Sequence, residues 1–146
     1  MISEQPANPK LRVGAGVAVG VTEAMIHEVV HAFYARVRID PDLGPIFGRV
    51  LGDDWSEHLA KLCDFWSSVL LRTARYEGSP MVAHVAVGGI EAKHFARWLE
   101  LFHETVRRLC PTDAAALFVA RSELIAQSLK LGIAVSRGEF PPVDTP

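Results

Sequence analysis

Cysteine is nearly missing from this chain: Cys63 and Cys110 are the two among 146 residues. They stand far apart, with no Cys-x-x-Cys pair, which argues against a zinc ribbon or a dithiol redox centre and for two reduced thiols inside apolar helical patterns. No apolar run approaches the ~20 residues that span a bilayer, so no membrane partner is expected. Basic charge is not in excess either. Lys and Arg number 15 against 17 Asp and Glu, for a net charge of -2 and a pI near 6.3, which leaves no basic face for nucleic-acid phosphates. The opening Ser3-Glu4-Gln5-Pro6 lacks the basic-then-apolar order of a secretory signal, and a cytoplasmic location is the expectation. What is present is the composition of one globular domain, 49% hydrophobic and 22% charged, long enough to bury a single core unaided.

Residues 1–21 hold Pro6, Pro9 and a glycine-rich stretch from Gly14 to Gly20, and read as a flexible leader. Thr22 is placed as an N-cap, with Val21 and Ile26 as a hydrophobic staple across it. Ile26, Val29, Val30, Phe33 and Val37 then repeat at helical spacing. The breaker-dense Asp40-Pro41-Asp42-Leu43-Gly44-Pro45 ends that helix near Arg38. A second long helix is predicted from Asp54, with Glu57 completing a capping-box-like pair and a stripe of Trp55, Leu59, Leu62, Trp66, Val69 and Leu70. Ser79 and Pro80 open a short helix that Gly88 closes, with a strand over the valine-rich Met81 to Val87 as the other reading. The fourth runs from Glu91 to Cys110 on Phe95, Trp98, Leu99, Phe102, Val106 and Leu109. Pro111 stops it, and a last helix from Asp113 to Ser136 follows through Leu117, Leu124, Ser128 and Leu131. Residues 138–146 read as a disordered tail. The expectation is an all-α protein with its domain over residues 22–137, four long helices and one short.

Function must then be sought in polar groups on apolar faces. His58 shares a face with Leu62, Phe65 and Val69, where a core histidine bonded to a carbonyl is as reasonable as a functional one. Tyr34 flanks the first stripe, and its hydroxyl reaches either a pocket or water. Trp98 lies on the main stripe of its helix with an indole N–H that wants a partner. His84 is set among Val82, Ala83, Val85, Ala86 and Val87, a setting that suits an imidazole holding the iron of a large apolar group. One motif points elsewhere: His27-Glu28-Val29-Val30-His31 matches the H-E-x-x-H of zinc peptidases. Both histidines fall beside the apolar stripe, and no downstream segment offers a third ligand.

Taken in order, Phe33-Tyr34, Asp40-Pro41-Asp42-Leu43-Gly44-Pro45-Ile46-Phe47, Trp55-x-x-His58, Phe65-Trp66, Tyr76-x-Gly78-x-Pro80, His84 and Phe95-x-x-Trp98-Leu99-x-Leu101-Phe102 resemble the signature of group III truncated haemoglobins. The resemblance runs unbroken from about residue 22 to 135. It implies a truncated globin fold, a two-over-two helical sandwich around haem, with His84 as the iron ligand. It also implies distal residues Tyr34, His58 and Trp98, of which His58 is the gate, and haem contacts from Phe47, Phe33, Leu62 and Phe95. With no Cys-x-x-Cys-His for covalent attachment, the haem would be b-type. Its partners would be O2, NO or CO and a reductase. Several distal donors would hold O2 tightly and release it slowly, which suits NO or peroxide detoxification, by NO dioxygenase or peroxidase-like activity, better than oxygen delivery. Gly88 and His94 depart from the pattern, which often has proline and an aromatic there. Arg72, Arg75 and Arg97 are candidates, by charge and position, for the haem carboxylates. A zinc peptidase and a cofactor-free helical interaction module stay open as alternatives.

Overall fold

In a computed structural model of the chain, which describes residues 14–76, 78 and 88–138, the Thr22 hydroxyl accepts the backbone N–H of Met25 at 3.1 Å and starts the helix as its position predicts. Six helices are present among the described residues, and no strand. In chain order they are α1 (Ala15–Ala18), α2 (Glu23–Ile39), α3 (Leu43–Leu51), α4 (Ser56–Leu71), α5 (Ala92–Leu109) and α6 (Thr112–Ser136). Pairs α2–α4 and α5–α6 pack together, and α2 against α5 joins the two pairs. The stripe predicted for α2 is buried throughout, from Ile26 to Val37, and Val21 is buried beside it.

Helix α3 was not expected. Pro41 and Pro45 suggest only breaks, yet Pro45 occupies the third position of the helix, where its missing N–H has no intrahelical partner to lose. The turn into α3 is built by Asp40, whose Oδ2 accepts the N–H groups of Asp42 and Leu43 at 3.0 Å each. Its Oδ1 takes the Arg97 Nε at 2.8 Å, tying the α2–α3 turn to α5. Burial alone would raise the pKa of this carboxyl. The Leu43 N–H, Arg97 and the Asp42 N–H outweigh it and hold Asp40 below the usual carboxylate range.

Two further expectations change. The face proposed for α6 is out of phase: Leu124 and Leu131 are 55% and 48% exposed, and Ser128 is exposed too. The buried face carries Ala114, Ala115, Phe118, Ser122, Ala126, Leu129 and Ile133. Leucines all round the helix hid it, because alanines and a serine make up more than half of that face and break its stripe. Residues 14–21, expected within the leader, pack before the expected boundary at residue 22. Helix α1 lies against α4, and a Cβ on Gly14 would stand 2.4 Å from the Leu70 carbonyl oxygen. Gly14→Ala should therefore cost about 2–4 kcal/mol, from the left-handed φ of +89° and the overlap together. Gly20 has a similar φ of +85° with nothing near it, and Gly20→Ala should cost about 1–2 kcal/mol from φ alone. Equal costs in denaturant unfolding would show that α1 has no such seat. The short helix predicted over 80–87 and the tail from 139 lie outside the described residues.

Candidate functional site

Between the two helix pairs lies a cavity of about 460 Å³, within the range of preformed small-molecule sites. Every helix from α2 to α6 contributes to its wall. Tyr34 comes from α2, Phe47 from α3, and His58, Leu62, Phe65 and Trp66 from α4. Phe95 and Trp98 come from α5, and Ile125 and Leu129 from α6. The periodicity that buries each helix thus also supplies an apolar lining, interrupted by a few polar groups.

Three of those groups meet. The Trp98 indole N–H donates to the Tyr34 hydroxyl oxygen at 3.4 Å, a long bond between residues 64 positions apart. The His58 ring stands edge-on to Tyr34 with centroids 5.5 Å apart, and Phe47 lies 5.7 Å from Tyr34 and 6.0 Å from His58. Tyr34 is only 5% exposed. Burial pushes its pKa up to about 12, against a smaller lowering by the Trp98 hydrogen bond, so the hydroxyl keeps its proton throughout the neutral range. Having accepted from Trp98, it has no acceptor for its own proton among the described residues.

The sequence-predicted residues divide as follows. Tyr34, His58, Trp98, Phe47, Leu62 and Phe95 all line the cavity. Phe33, expected against the cofactor, does not. It is almost fully buried behind the wall, edge-on to Tyr34 at 4.6 Å, to Phe102 at 5.0 Å and to Trp98 at 5.5 Å. As the neighbour of Tyr34 it points about 100° away around the helix. His84 lies outside the described residues. The three arginines suggested for carboxylates are not in the wall. Arg97 is held by Asp40 and by Glu100 at 2.7 Å, and Arg75 lies 3.4 Å from Glu23.

Reading by charge and stripe missed Lys61, the one lysine or arginine among the described lining residues. Its position one turn from His58 was the available signal. Trp66 and Tyr76, which also line the cavity, fell within the family-like pattern without an assigned role. His94 lines the cavity as well, but its Nδ1 accepts the Glu91 backbone N–H at 2.8 Å in the capping box that starts α5. That bond places the proton of the neutral ring on Nε2, leaving no lone pair there for a metal. His103 faces α6, near Ser122 and Glu123.

The wall suits a large apolar prosthetic group: among the described residues it is mostly aliphatic and aromatic, with one lysine and a buried hydroxyl whose proton has no acceptor there. His27 and His31, the ends of the peptidase-like motif, are exposed on α2 and absent from this wall. No group of three or more metal-ligating side chains occurs among the described residues.

Comparison with known proteins agrees with this arrangement. A family model described as bacterial-like globin matches residues 17–118. The group 3 truncated hemoglobin of Campylobacter jejuni is 32% identical over 109 residues, which are 73% of this chain and 86% of that protein. The crystal structure of a group III truncated hemoglobin from Campylobacter jejuni superposes with a TM-score of 0.73 at 31% identity, covering 75% of this chain and 89% of the other. A two-over-two helical fold around an apolar cavity, matched in sequence and in structure, makes this chain a member of the bacterial-like globins, in the group III truncated haemoglobins.

Proposed function

We propose that the cavity holds one noncovalent haem b with His84 as its protein ligand, and that the protein binds O2, NO and CO on the side of Tyr34 and Trp98. The observation that carries this reading is the Tyr34–Trp98 pair: two donors from separate helices meet in the wall of a large apolar cavity. A buried hydroxyl is costly unless satisfied, and a polarised ligand is the acceptor that would satisfy it. Haem supplies, when bound, an iron with a coordination position open to small ligands.

The protein's own groups do the rest. Tyr34, protonated because its pKa is near 12, donates its O–H to the ligand. Trp98 donates to the Tyr34 oxygen and so orients that hydroxyl. His58, packed edge-on against Tyr34 and beside Phe47, gates entry. Lys61, a lining residue 4.0 Å from Glu57, would pair with a haem carboxylate. His94 and His103 are poor competitors for the iron, since one uses Nδ1 as a helix cap and the other faces α6. Strong retention of the ligand favours NO or peroxide detoxification, as an NO dioxygenase or peroxidase-like activity, over oxygen delivery. A cytoplasmic reductase would keep the iron reduced.

Titrating the haem-free protein with haemin tests the reading. A Soret band should saturate at one equivalent, and acid-acetone should then carry the colour into the organic phase. Failure to form the band would overturn haem binding, and colour retained in the protein pellet would overturn noncovalent attachment.

A further inference from the structure

The motif His27-Glu28-Val29-Val30-His31 plays no part in the cavity, but the structure gives its two histidines a geometry of their own. They stand one turn apart on the exposed face of α2, the spacing that makes helical side chains neighbours. Their rings are nearly parallel, at 21°, with centroids 3.9 Å apart. The His31 Nδ1 is 2.9 Å from the His27 backbone carbonyl oxygen. A carbonyl only accepts, so Nδ1 carries the proton and the lone pair of His31 sits on Nε2, outward from the backbone. This is the support that orients metal-bound histidines: one ring nitrogen donates to a carbonyl and the other is left to ligate.

From this we infer that His27 and His31 form a two-imidazole surface site for a divalent transition metal ion of the zinc, nickel or copper class. Two nitrogens at zinc–nitrogen distances of about 2.0–2.1 Å and a tetrahedral angle are roughly 3.4 Å apart. The rings stand close enough for that separation, but their in-plane lone pairs run side by side, so these exposed side chains must turn to aim both at one ion. Imidazole suits these metals, whereas magnesium and calcium prefer oxygen donors. No third histidine, cysteine or carboxylate is grouped with the pair among the described residues. Water fills the remaining positions. The site therefore binds a metal without completing the three-ligand centre of a peptidase. It is independent of the haem cavity, whose wall contains neither ring.

Calorimetric titration of the untagged, haem-loaded full chain with zinc chloride tests the inference. One zinc should bind per chain. His27→Ala and His31→Ala should each weaken it at least tenfold, because either change turns a chelate into a single ligand. His103→Ala, on another helix, should bind as the parent does. Zinc should also raise the thermal midpoint of the parent and not that of either α2 variant, while the zinc-free midpoints, set by exposed positions, stay alike. Absence of zinc binding to the parent, or unchanged binding in both α2 variants, overturns the site.

Discussion

Replacing His84 by alanine is expected to abolish haem retention: the purified variant should be colourless, while His94→Ala keeps its Soret band. The contrast rests on lone pairs. His94 lines the cavity and would be near enough to compete, but its Nδ1 is committed to the Glu91 N–H. His94→Ala removes a helix cap instead, a loss of about 0.5–2 kcal/mol in stability rather than of a cofactor. His103→Ala should leave the haem as it is. Imidazole added to the His84 variant should restore a Soret band if the pocket is intact and lacks only its ligand. A His94→Ala protein without haem beside a His84→Ala protein that keeps it would reverse the assignment.

The second large effect concerns release. Tyr34→Phe keeps the ring that packs on Phe33, Phe47 and His58 and removes only the hydroxyl. A hydrogen bond to a charged or strongly polarised group contributes about 1.5–3 kcal/mol, roughly ten- to a hundredfold in dissociation. O2 release in stopped flow should accelerate by at least about tenfold. Trp98→Phe should act in the same direction, since the indole N–H holds the Tyr34 oxygen. The double variant should be less than additive, because both changes break one chain of hydrogen bonds. His58→Leu should instead mainly speed CO entry. Unchanged O2 release in both aromatic variants would leave Tyr34 and Trp98 as wall residues only.

What the sequence made legible followed from regular periods and local chemistry. Thr22, Val21 and Ile26 announced the start of α2, and the apolar stripe carried it to its end because polar residues separate its members. In α6 the same reasoning failed, since alanine, leucine and valine surround the helix and the buried face mixes Phe118, Leu129 and Ile133 with alanines and a serine that carry no stripe. Helix α3 was hidden by two prolines, of which Pro41 lies ahead of the helix and Pro45 sits in its first turn, where a missing N–H costs no intrahelical bond. For the site, periodicity alone could say that Tyr34, His58 and Trp98 lie near apolar faces. That they share a cavity depends on contacts across tens of residues, which only the ordered resemblance anticipated. Charge was a poor guide: Arg97 and Arg75 are already engaged by Asp40, Glu100 and Glu23, a pairing no linear pattern reveals.

The stack of rings at the centre of the fold has an optical consequence. The chain has three tryptophans. Trp66 and Trp98 form part of the cavity wall, and both lie nearly parallel to Phe102, at 12° and 2°. Trp55 rests 5.7 Å from Phe47, itself a wall residue. Every indole is thus in the wall or one ring away from it. An occupant that absorbs where indoles emit would drain the ultraviolet fluorescence of all three by energy transfer. The protein would glow when empty and darken when filled, so its own emission can time the arrival and departure of a coloured ligand without a label.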